Sequence, residues 1–501
     1  MKFLAPSLIG LCCAVALNAQ NGQTPTTGVP GTNNTPSIFP PESSFRKVVL
    51  DGLGAPEGLG SAAVDRPMEM AIAPDGRVFY VEGGGLVKMY RPDTRKTVEI
   101  AKIPVFFNRP AGFEDGLLGV TLDPNFSKNG WIYLNHSLPE TQTDAQGRKY
   151  GYIRVSRFTL KGDQLDLASE AKIIDIEEQR VTCCHVGGSL TFDAKGNLYI
   201  SVGDNTNPFE SDGYSPSDER PERYPWDAQR SAANANALTG KILRITPKAN
   251  GGYTIPKDNL FPPGTPGTRP EIYVMGNRNP FRISVDQKTG YLYWGEVGPD
   301  AGGPKEDRGP AGYDEFNQAR KAGNFGWPYF IANNKPYHHW DFAATNSGPL
   351  WDAEHPVNNS PNNTGTHDLP PAQPAMLYYT SGPSAKWPVL GSGGRTAMGG
   401  PVYYFDPKLK SQTKLPKEYD HTLFIYEWSR NWIIAAKLDK NDNIEHMERF
   451  MPKEGFIRPM DVELGPDGCL YVTEYGTTWD SNKDARIVRV EYTGATAGTT
   501  N

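Results

Sequence analysis

The fold is decided by a short phrase whose clearest copy is Pro74-Asp75-Gly76 followed by Val78-Phe79-Tyr80-Val81. It joins a polar turn that ends in Gly to a run of apolar and aromatic residues. Five further copies follow, the fourth of which is degenerate: Asn129-Gly130 before 131–134, Gly196-Asn197 before 198–200, Thr289-Gly290 before 291–294, Asp420-His421 before 423–426, and Pro466-Asp467-Gly468 before 469–472. Each copy is typical of a tight turn between two β-strands, with Gly at a position that needs positive φ.

The spacing of the copies predicts a propeller. The glycines of the first four copies stand at positions 76, 130, 196 and 290. Their spacing exceeds the about 40–50 residues that one four-stranded blade needs, and the surplus residues would form loops. Six copies therefore predict an all-β, six-bladed β-propeller with long loops on one face, the longest being 205–237 and 337–396. The alternative is a sandwich in which the copies are unrelated hairpins. Loops gathered on one face commonly carry the functional site.

Composition narrows the class of protein. The chain has 501 residues, of which 53 are Gly and 44 are Pro, so almost every window of helical length is interrupted. The net charge of -6 provides no basic field, which argues against nucleic acid and anionic membranes as partners.

The N-terminus predicts export. Lys2 precedes an apolar stretch at 4–17, which is shorter than the about 20 residues needed to span a bilayer and is typical of a cleaved signal peptide. We therefore divide the chain into a signal peptide at 1–19, a flexible linker at 20–44, a propeller at 45–493 and a disordered tail at 494–501. The prediction is a secreted or periplasmic protein with no membrane span.

A series of motifs between Glu114 and Pro328 carries the chemistry. In order they are Glu114-Asp115-Gly-Leu-Leu-Gly119, His185-Val-Gly-Gly188, Gly240-Lys-Ile-Leu-Arg244, Gly276-Asn-Arg278-Asn279-Pro280, Glu296-Val-Gly298-Pro299, Asp314-Glu315-Phe-Asn317 and Asn324-Phe-Gly-Trp-Pro328. This ordered set resembles the soluble glucose/sorbosone dehydrogenase family. The resemblance implies a six-bladed propeller that uses pyrroloquinoline quinone and calcium.

His185 and Arg278 are the candidate catalytic residues. An imidazole near neutral pH can accept the proton of a hydroxyl while hydride leaves the same carbon, and a guanidinium suits a quinone oxygen that gains negative charge. The resemblance implies that His185 deprotonates the C1 hydroxyl of a sugar and that Arg278 and Asn279 contact the quinone oxygens. The alternatives are a structural histidine and an arginine that braces a loop.

The acidic segment after Glu296 is the candidate metal site. Calcium binds six to eight oxygens from carboxylates and main-chain carbonyls, and Gly298, Pro299, Asp314 and Glu315 offer both kinds. The resemblance implies that the carbonyls of Gly298 and Pro299 hold the ion. The alternative is a solvated acidic loop.

Several positions depart from the family pattern. Glu114 replaces a cofactor-contacting Gln, and Cys184 replaces the Asp before the histidine, so we expect His185 to lack a carboxylate that fixes its tautomer. Ser429 and Met460 replace two cations. Because the quinone carries three carboxylates, that loss weakens its binding, and Arg458, which matches a family arginine, and Arg430 are the remaining candidate cofactor ligands.

Cys183 and Cys184 are adjacent, and a disulfide between them would fix the turn before His185; the alternative is two reduced thiols. The sequence predicts a secreted dehydrogenase that oxidises a sugar, polyol or aldehyde and passes electrons to an external acceptor, since it contains no Cys-x-x-Cys-His for a haem of its own. Two alternatives stay open: a non-redox propeller that binds carbohydrate or protein, and a calcium-dependent hydrolase.

Overall fold

The computed structural model describes residues 36–60, 63–108 and 112–494. The predicted signal peptide, most of the predicted linker and all but the first residue of the predicted tail lie outside these ranges. The described chain forms six large β-sheets and two small hairpins. The prediction of an all-β, six-bladed β-propeller is confirmed.

The first three blades contain strands in chain order from the inside outward. Blade 1 contains β2 (Pro67–Ile72), β3 (Val78–Glu82), β4 (Leu86–Arg91) and β5 (Lys96–Lys102). Blade 2 contains β6 (Leu117–Leu122), β7 (Trp131–Ser137), β9 (Lys149–Lys161) and β10 (Gln164–Gln179), with β8 (Gln142–Thr143) paired to β9. Blade 3 contains β11 (Gly187–Phe192), β12 (Leu198–Val202), β13 (Lys241–Pro247) and β15 (Ile272–Met275), extended by β14 (Tyr253–Thr254) and β19 (Gly323–Asn324).

The other three blades complete the ring. Blade 4 contains β16 (Pro280–Val285), β17 (Leu292–Glu296), β18 (Asp314–Ala319) and β24 (Leu377–Tyr379). Blade 5 contains β25 (Ala397–Tyr403), β26 (Thr422–Glu427), β27 (Trp432–Leu438) and β28 (Ile444–Phe450). Blade 6 contains β29 (Pro459–Leu464), β30 (Leu470–Glu474) and β31 (Arg486–Tyr492), and its outer strand is β1 (Phe45–Gly52). The antiparallel pairing of β1 with β31 therefore closes the ring.

Helix is scarce in the described residues. The α-helix there is α1 (Phe126–Asn129), and short 3-10 helices occur at Glu42–Ser44, Tyr224–Trp226, Ala228–Arg230, Pro388–Leu390 and Lys417–Tyr419. Two hairpins lie within the long insertion of blade 4: β20 (Phe330–Ile331) with β21 (Lys335–Pro336), and β22 (His338–Asp341) with β23 (Asn346–Leu350). Within the described ranges, no helix has the length and apolarity needed to cross a membrane.

All six copies of the phrase occupy one place in the fold, the hairpin between the first and second strands of a blade. The second strands β3, β12, β17, β26 and β30 are buried along their whole length. They lie inside the blades with neighbours on both faces, so their sequences are continuous apolar runs instead of alternating patterns. We call the end of the propeller that carries these hairpins the lower face, and the opposite end, where the inner strands begin, the upper face.

The folded domain begins earlier than the predicted boundary at residue 45. Ile38 donates its backbone N–H to Glu448 at 2.9 Å, and the buried ring of Phe39 stacks on Tyr419 with 4.4 Å between the centroids. The last part of the predicted linker is therefore docked on blade 5, because an aromatic side chain in it finds an apolar partner.

Candidate functional site

Six polar residues precede the six inner strands and so gather at the upper face. The inner strands contact one another in a ring, and each begins at this face, so the residues before them surround the propeller axis. We call these six the mouth residues: Arg66, Glu114, His185, Arg278, Arg395 and Arg458. Four of the six are arginines, and three of these pair with aspartates: Arg66 with Asp480, Arg278 with Asp300 and Arg395 with Asp314.

His185 has a carboxylate partner. Its Nδ1 lies 2.7 Å from Oδ1 of Asp204, and both side chains are buried. Asp204 also accepts hydrogen bonds from Nε1 of Trp327 at 2.7 Å and from the backbone N–H of Thr206 at 3.0 Å. With these donors Asp204 acts as the acceptor, so Nδ1 of His185 carries the hydrogen and Nε2 is the basic nitrogen.

The expectation that His185 lacks a carboxylate is therefore wrong. The residue before the histidine is Cys184, but Asp204 reaches the ring from the end of the neighbouring strand β12, because Gly187 pairs with Val202. Gly203 permits this approach, since a Cβ on it would lie 2.3 Å from the backbone carbonyl of His185. The signal that sequence reasoning missed is the polar pair after this strand, Asp204-Asn205.

The segment before His185 is tightly held. Cys183 and Cys184 form a disulfide, and His185 itself has a left-handed φ of 58°. Its carbonyl accepts a hydrogen bond from the N–H of Asn205 at 3.1 Å. A left-handed residue that is not Gly is costly and is commonly found at functional sites, and here it directs the imidazole toward the end of the next strand.

Glu114 joins His185 to Asn279. Its Oε2 accepts the backbone N–H of His185 at 2.9 Å and lies 3.5 Å from Nδ2 of Asn279. The amide oxygen of Asn279 in turn accepts the N–H of Gly187 at 3.0 Å. Three predicted site residues from blades 2, 3 and 4 therefore share one hydrogen-bonded network.

Arg278 is held by its backbone and keeps free donors. The N–H groups of Arg278 and Asn279 both donate to Oε1 of Glu296 at 2.6 Å, and burial raises the pKa of Glu296 well above its usual range. The guanidinium of Arg278 donates to the carbonyl of Val297 at 3.0 Å and lies 3.4 Å from Asp300. Its buried Nε has no partner in the described part of the chain.

The repeated phrase carries a further signal that sequence reasoning missed. In four blades the second strand ends in Glu, at positions 82, 296, 427 and 474, opposite the first residue of the inner strand. In blades 1, 4 and 5 this carboxylate accepts the backbone N–H of a mouth residue or of its neighbour in the chain: Asp65 for Glu82, Arg278 for Glu296 and Thr396 for Glu427. These glutamates fix the loops that present the mouth residues.

Three of the four residues predicted to bind calcium do not offer an oxygen free of hydrogen bonds: Pro299, Asp314 and Glu315. The carbonyl of Pro299 accepts a hydrogen bond from Nη2 of Arg395 at 2.7 Å, and Nη1 of Arg395 donates to Asp314 at 3.0 Å. Glu315 accepts hydrogen bonds from the N–H of Ala332 and from Asn317. Nor do the described residues contain any group of three or more His, Cys, Asp or Glu arranged to hold a metal.

Arg430 braces a loop. Its guanidinium donates to the carbonyls of Thr380, Leu390, Gly391, Gly393 and Gly394, so its donors are used away from the mouth. Arg458 lies at the mouth, where it donates to the carbonyl of Thr478 at 3.0 Å and packs over Trp428.

Arg66 is a mouth residue that sequence reasoning missed. It pairs with Asp480 at 2.8 Å, and its buried Nε has no partner in the described ranges. Met460, which stands at a family cation position, is buried in β29. Arg278 and Arg458 therefore stand at cation positions of the family pattern, whereas Arg66 and Arg395 are additional cations at the mouth.

By its fold, and by the histidine–aspartate pair beside arginines at one end of the axis, the protein is a six-bladed propeller with a candidate acid–base site. The family model of glucose / sorbosone dehydrogenase matches residues 64–388. The chain belongs to this family.

Two characterised relatives span most of the chain. The aldose sugar dehydrogenase YliI of Escherichia coli is 26% identical over 82% of this chain and 87% of its own length. Quinoprotein glucose dehydrogenase B of Acinetobacter calcoaceticus is 24% identical over 90% of each chain. The structure of the PQQ-bound aldose sugar dehydrogenase of Streptomyces coelicolor shares the fold, with a TM-score of 0.53 and 17% identity over 89% of this chain and 98% of that chain.

Proposed function

We propose that the protein is a sugar dehydrogenase that oxidises the C1 hydroxyl of an aldose, with pyrroloquinoline quinone as the hydride acceptor. The observation that carries the proposal is the His185–Asp204 pair, with 2.7 Å between Nδ1 and Oδ1, beside the arginines of the mouth. Membership in the family and the likeness to two sugar-oxidising relatives support the same activity.

His185 is the general base of this proposal. Asp204 accepts the Nδ1 hydrogen, which leaves Nε2 to accept the proton of the substrate hydroxyl. The imidazolium that forms is stabilised by the buried carboxylate, as in other base–carboxylate pairs. The two electrons leave the same carbon as hydride, and the sugar becomes a lactone.

The mouth suits a tricarboxylate. Arg66 and Arg278 each keep a buried Nε donor without a partner in the described chain, and Arg458 provides a third guanidinium. Donors that are fixed before the ligand arrives stabilise negative charge without further reorganisation. When bound, pyrroloquinoline quinone supplies the two-electron acceptor, and Arg278 with Asn279 provides donors for the oxygens that gain charge.

The fit to calcium is different, because the carbonyl of Pro299 and the carboxylates of Asp314 and Glu315 already accept hydrogen bonds from nitrogen donors. We therefore assign no step to calcium. The electron acceptor that regenerates the cofactor is a separate molecule, since the sequence carries no haem-attachment motif.

We further propose that residues 1–19 direct export and are removed. An expressed full-length chain should then be recovered outside the cytoplasm with Gln20 as its first residue. Edman or mass-spectrometric analysis of the exported protein tests this, and an intact Met1 on that protein would contradict it.

The decisive experiment is reconstitution. The purified protein is mixed with pyrroloquinoline quinone, uptake is followed by the cofactor absorbance, and glucose oxidation is followed with an artificial electron acceptor. We expect stoichiometric uptake and turnover, with turnover lost and uptake kept in His185→Ala. Sugar binding without cofactor uptake would instead support the non-redox carbohydrate-binding alternative.

A further inference from the structure

The turn at Gly298 and Pro299 holds a cation that belongs to the chain itself. The guanidinium of Arg395 donates through Nη2 to the carbonyl of Pro299 at 2.7 Å and through Nη1 to Oδ1 of Asp314 at 3.0 Å. The Arg395 side chain is 10% exposed. One guanidinium therefore bridges two of the oxygens that a bound divalent ion would require.

The carboxylate oxygens of Asp314 and Glu315 are also engaged. Asp314 accepts the N–H of Gly298 at 3.1 Å and the N–H of Ala397 at 3.0 Å. Both oxygens of Glu315 accept N–H donors as well. Because calcium needs six to eight oxygen ligands, and every carboxylate oxygen here already accepts a hydrogen from nitrogen, these residues are arranged for a hydrogen-bond donor.

Two glycines, Gly298 and Gly312, let the backbone pack closely beside the guanidinium of Arg395. A Cβ on Gly312 would lie 1.8 Å from the carbonyl oxygen of Pro299 and 3.0 Å from Nη2 of Arg395. A Cβ on Gly298 would lie 1.6 Å from the carbonyl oxygen of Tyr313. Glycine at both positions lets the turn pack directly on the neighbouring strand with the planar guanidinium against it.

The positive charge of Arg395 lies next to a buried carboxylate. Asp314 is fully buried, and burial raises its pKa, while the charge of Arg395 is the main opposing influence. The next residue, Thr396, is held by a hydrogen bond between its hydroxyl and that of Ser429 at 2.7 Å. Ser429 stands where the family pattern has Lys. The chain therefore lacks that lysine but holds the guanidinium of Arg395 close by.

We propose that Arg395 is the resident cation of this turn and that the chain folds without calcium at Gly298, Pro299, Asp314 and Glu315. A guanidinium carries one positive charge and directed donors, and it satisfies a carbonyl and a carboxylate together. The proposal concerns the cation of the turn and does not depend on the proposed sugar chemistry.

Thermal unfolding and calcium titration test the proposal. The full-length protein is freed of metal with EDTA, and its Tm is measured in EDTA and in millimolar CaCl2, together with calorimetric titration of Ca²⁺. For the wild type we expect equal Tm values and no binding heat. A Tm that rises with CaCl2, with the rise lost in Asp314→Asn, would overturn the proposal. A rise that persists in Asp314→Asn would also count against it, because the carbonyls of Gly298 and Pro299 remain in that variant.

Removing the guanidinium tests the proposal from the other side, with Arg395→Ala as the variant and Arg458→Ala as its control. In Arg395→Ala the carboxylate of Asp314 and the carbonyl of Pro299 lose the guanidinium donor, so we expect a lower Tm in EDTA that CaCl2 restores by at least half. Arg458→Ala removes a mouth arginine that donates to a carbonyl, and its Tm should not respond to CaCl2. An equal response of both variants would count against the assignment. If Arg395→Ala does not fold, Arg395→Lys, which keeps the charge, should fold and stay insensitive to CaCl2.

Discussion

His185 and His421 each pair with an aspartate, and they lie at opposite ends of the propeller. At the upper face His185 lies 2.7 Å from Asp204, and at the lower face His421 lies 2.8 Å from Asp442. Both histidines have left-handed backbones, with φ of 58° and 54°. Local geometry alone therefore does not distinguish a candidate base from a structural pair.

The surroundings of the two pairs differ. His421 uses Nε2 for the aspartate and stacks its ring on Tyr404, so it ties two hairpins of blade 5 together. His185 uses Nδ1 for its aspartate, so Nε2 is the ring nitrogen that is left, and arginines precede four of the inner strands at the same face. The comparison teaches that the chemistry of a histidine–aspartate pair depends on which nitrogen it leaves available and what charge lies nearby.

The largest expected effect comes from removing the two imidazoles. His185→Ala should lower kcat by about 10²–10⁴-fold, since a positioned general base contributes that much, while cofactor uptake changes little. His421→Ala should keep kcat and lower only Tm. Steady-state kinetics with saturating cofactor and thermal unfolding of both variants check this. Equal losses of kcat would remove the distinction between the two pairs.

The carboxylates provide a smaller test of the same contrast. Asp204→Asn should lower kcat by roughly 10- to 100-fold, the value of a hydrogen bond to a charged group, because the imidazolium loses its partner. Asp442→Asn should leave kcat unchanged. A pH profile of kcat/KM sharpens the test, since a purely structural loss at Asp204 would lower the profile without altering its shape.

The free energy of unfolding should depend on pH through Glu427, which ends a strand at the upper face. Burial raises its pKa from 4.5 to about 8, so between these values the native state keeps a proton that the unfolded state has released. Its contribution to stability is therefore largest below pH 4.5 and is lost as pH rises toward 8. Urea unfolding should show that Glu427→Gln, which cannot ionise, loses less stability than the wild type between pH 5 and pH 8. A parallel decline in both proteins would contradict the shift.

The smallest expected effect is at a turn of the lower face. Gly196 has φ of 81°, and a Cβ there would meet nothing within 4 Å, so Gly196→Ala introduces only the backbone cost of about 1 kcal/mol. The free energy of unfolding should fall by that amount with kcat unchanged. A change in kcat would show that the lower face communicates with the mouth.

The six blades are predictable from short segments of the sequence. Each phrase is complete within a few residues, as in the turn where Asp193 accepts the N–H of Lys195 and of Asn197, both at 2.9 Å. A turn whose hydrogen bonds close locally leaves its full signature in adjacent residues. The six-bladed fold could therefore be predicted, and so could the motifs that contain His185, Arg278 and Asn279.

The hydrogen-bond partners of the site residues, in contrast, follow from the tertiary structure. Asp204 reaches His185 from the next strand, Arg395 reaches Pro299 from the next blade, and Arg430 turns away to its own loop. Such partners are set by strand pairing and blade packing, which bring distant segments together, so no short spacing in the sequence records them. The residue next to His185 in sequence, Cys184, predicted a histidine without a carboxylate, whereas the fold supplies the carboxylate across the sheet.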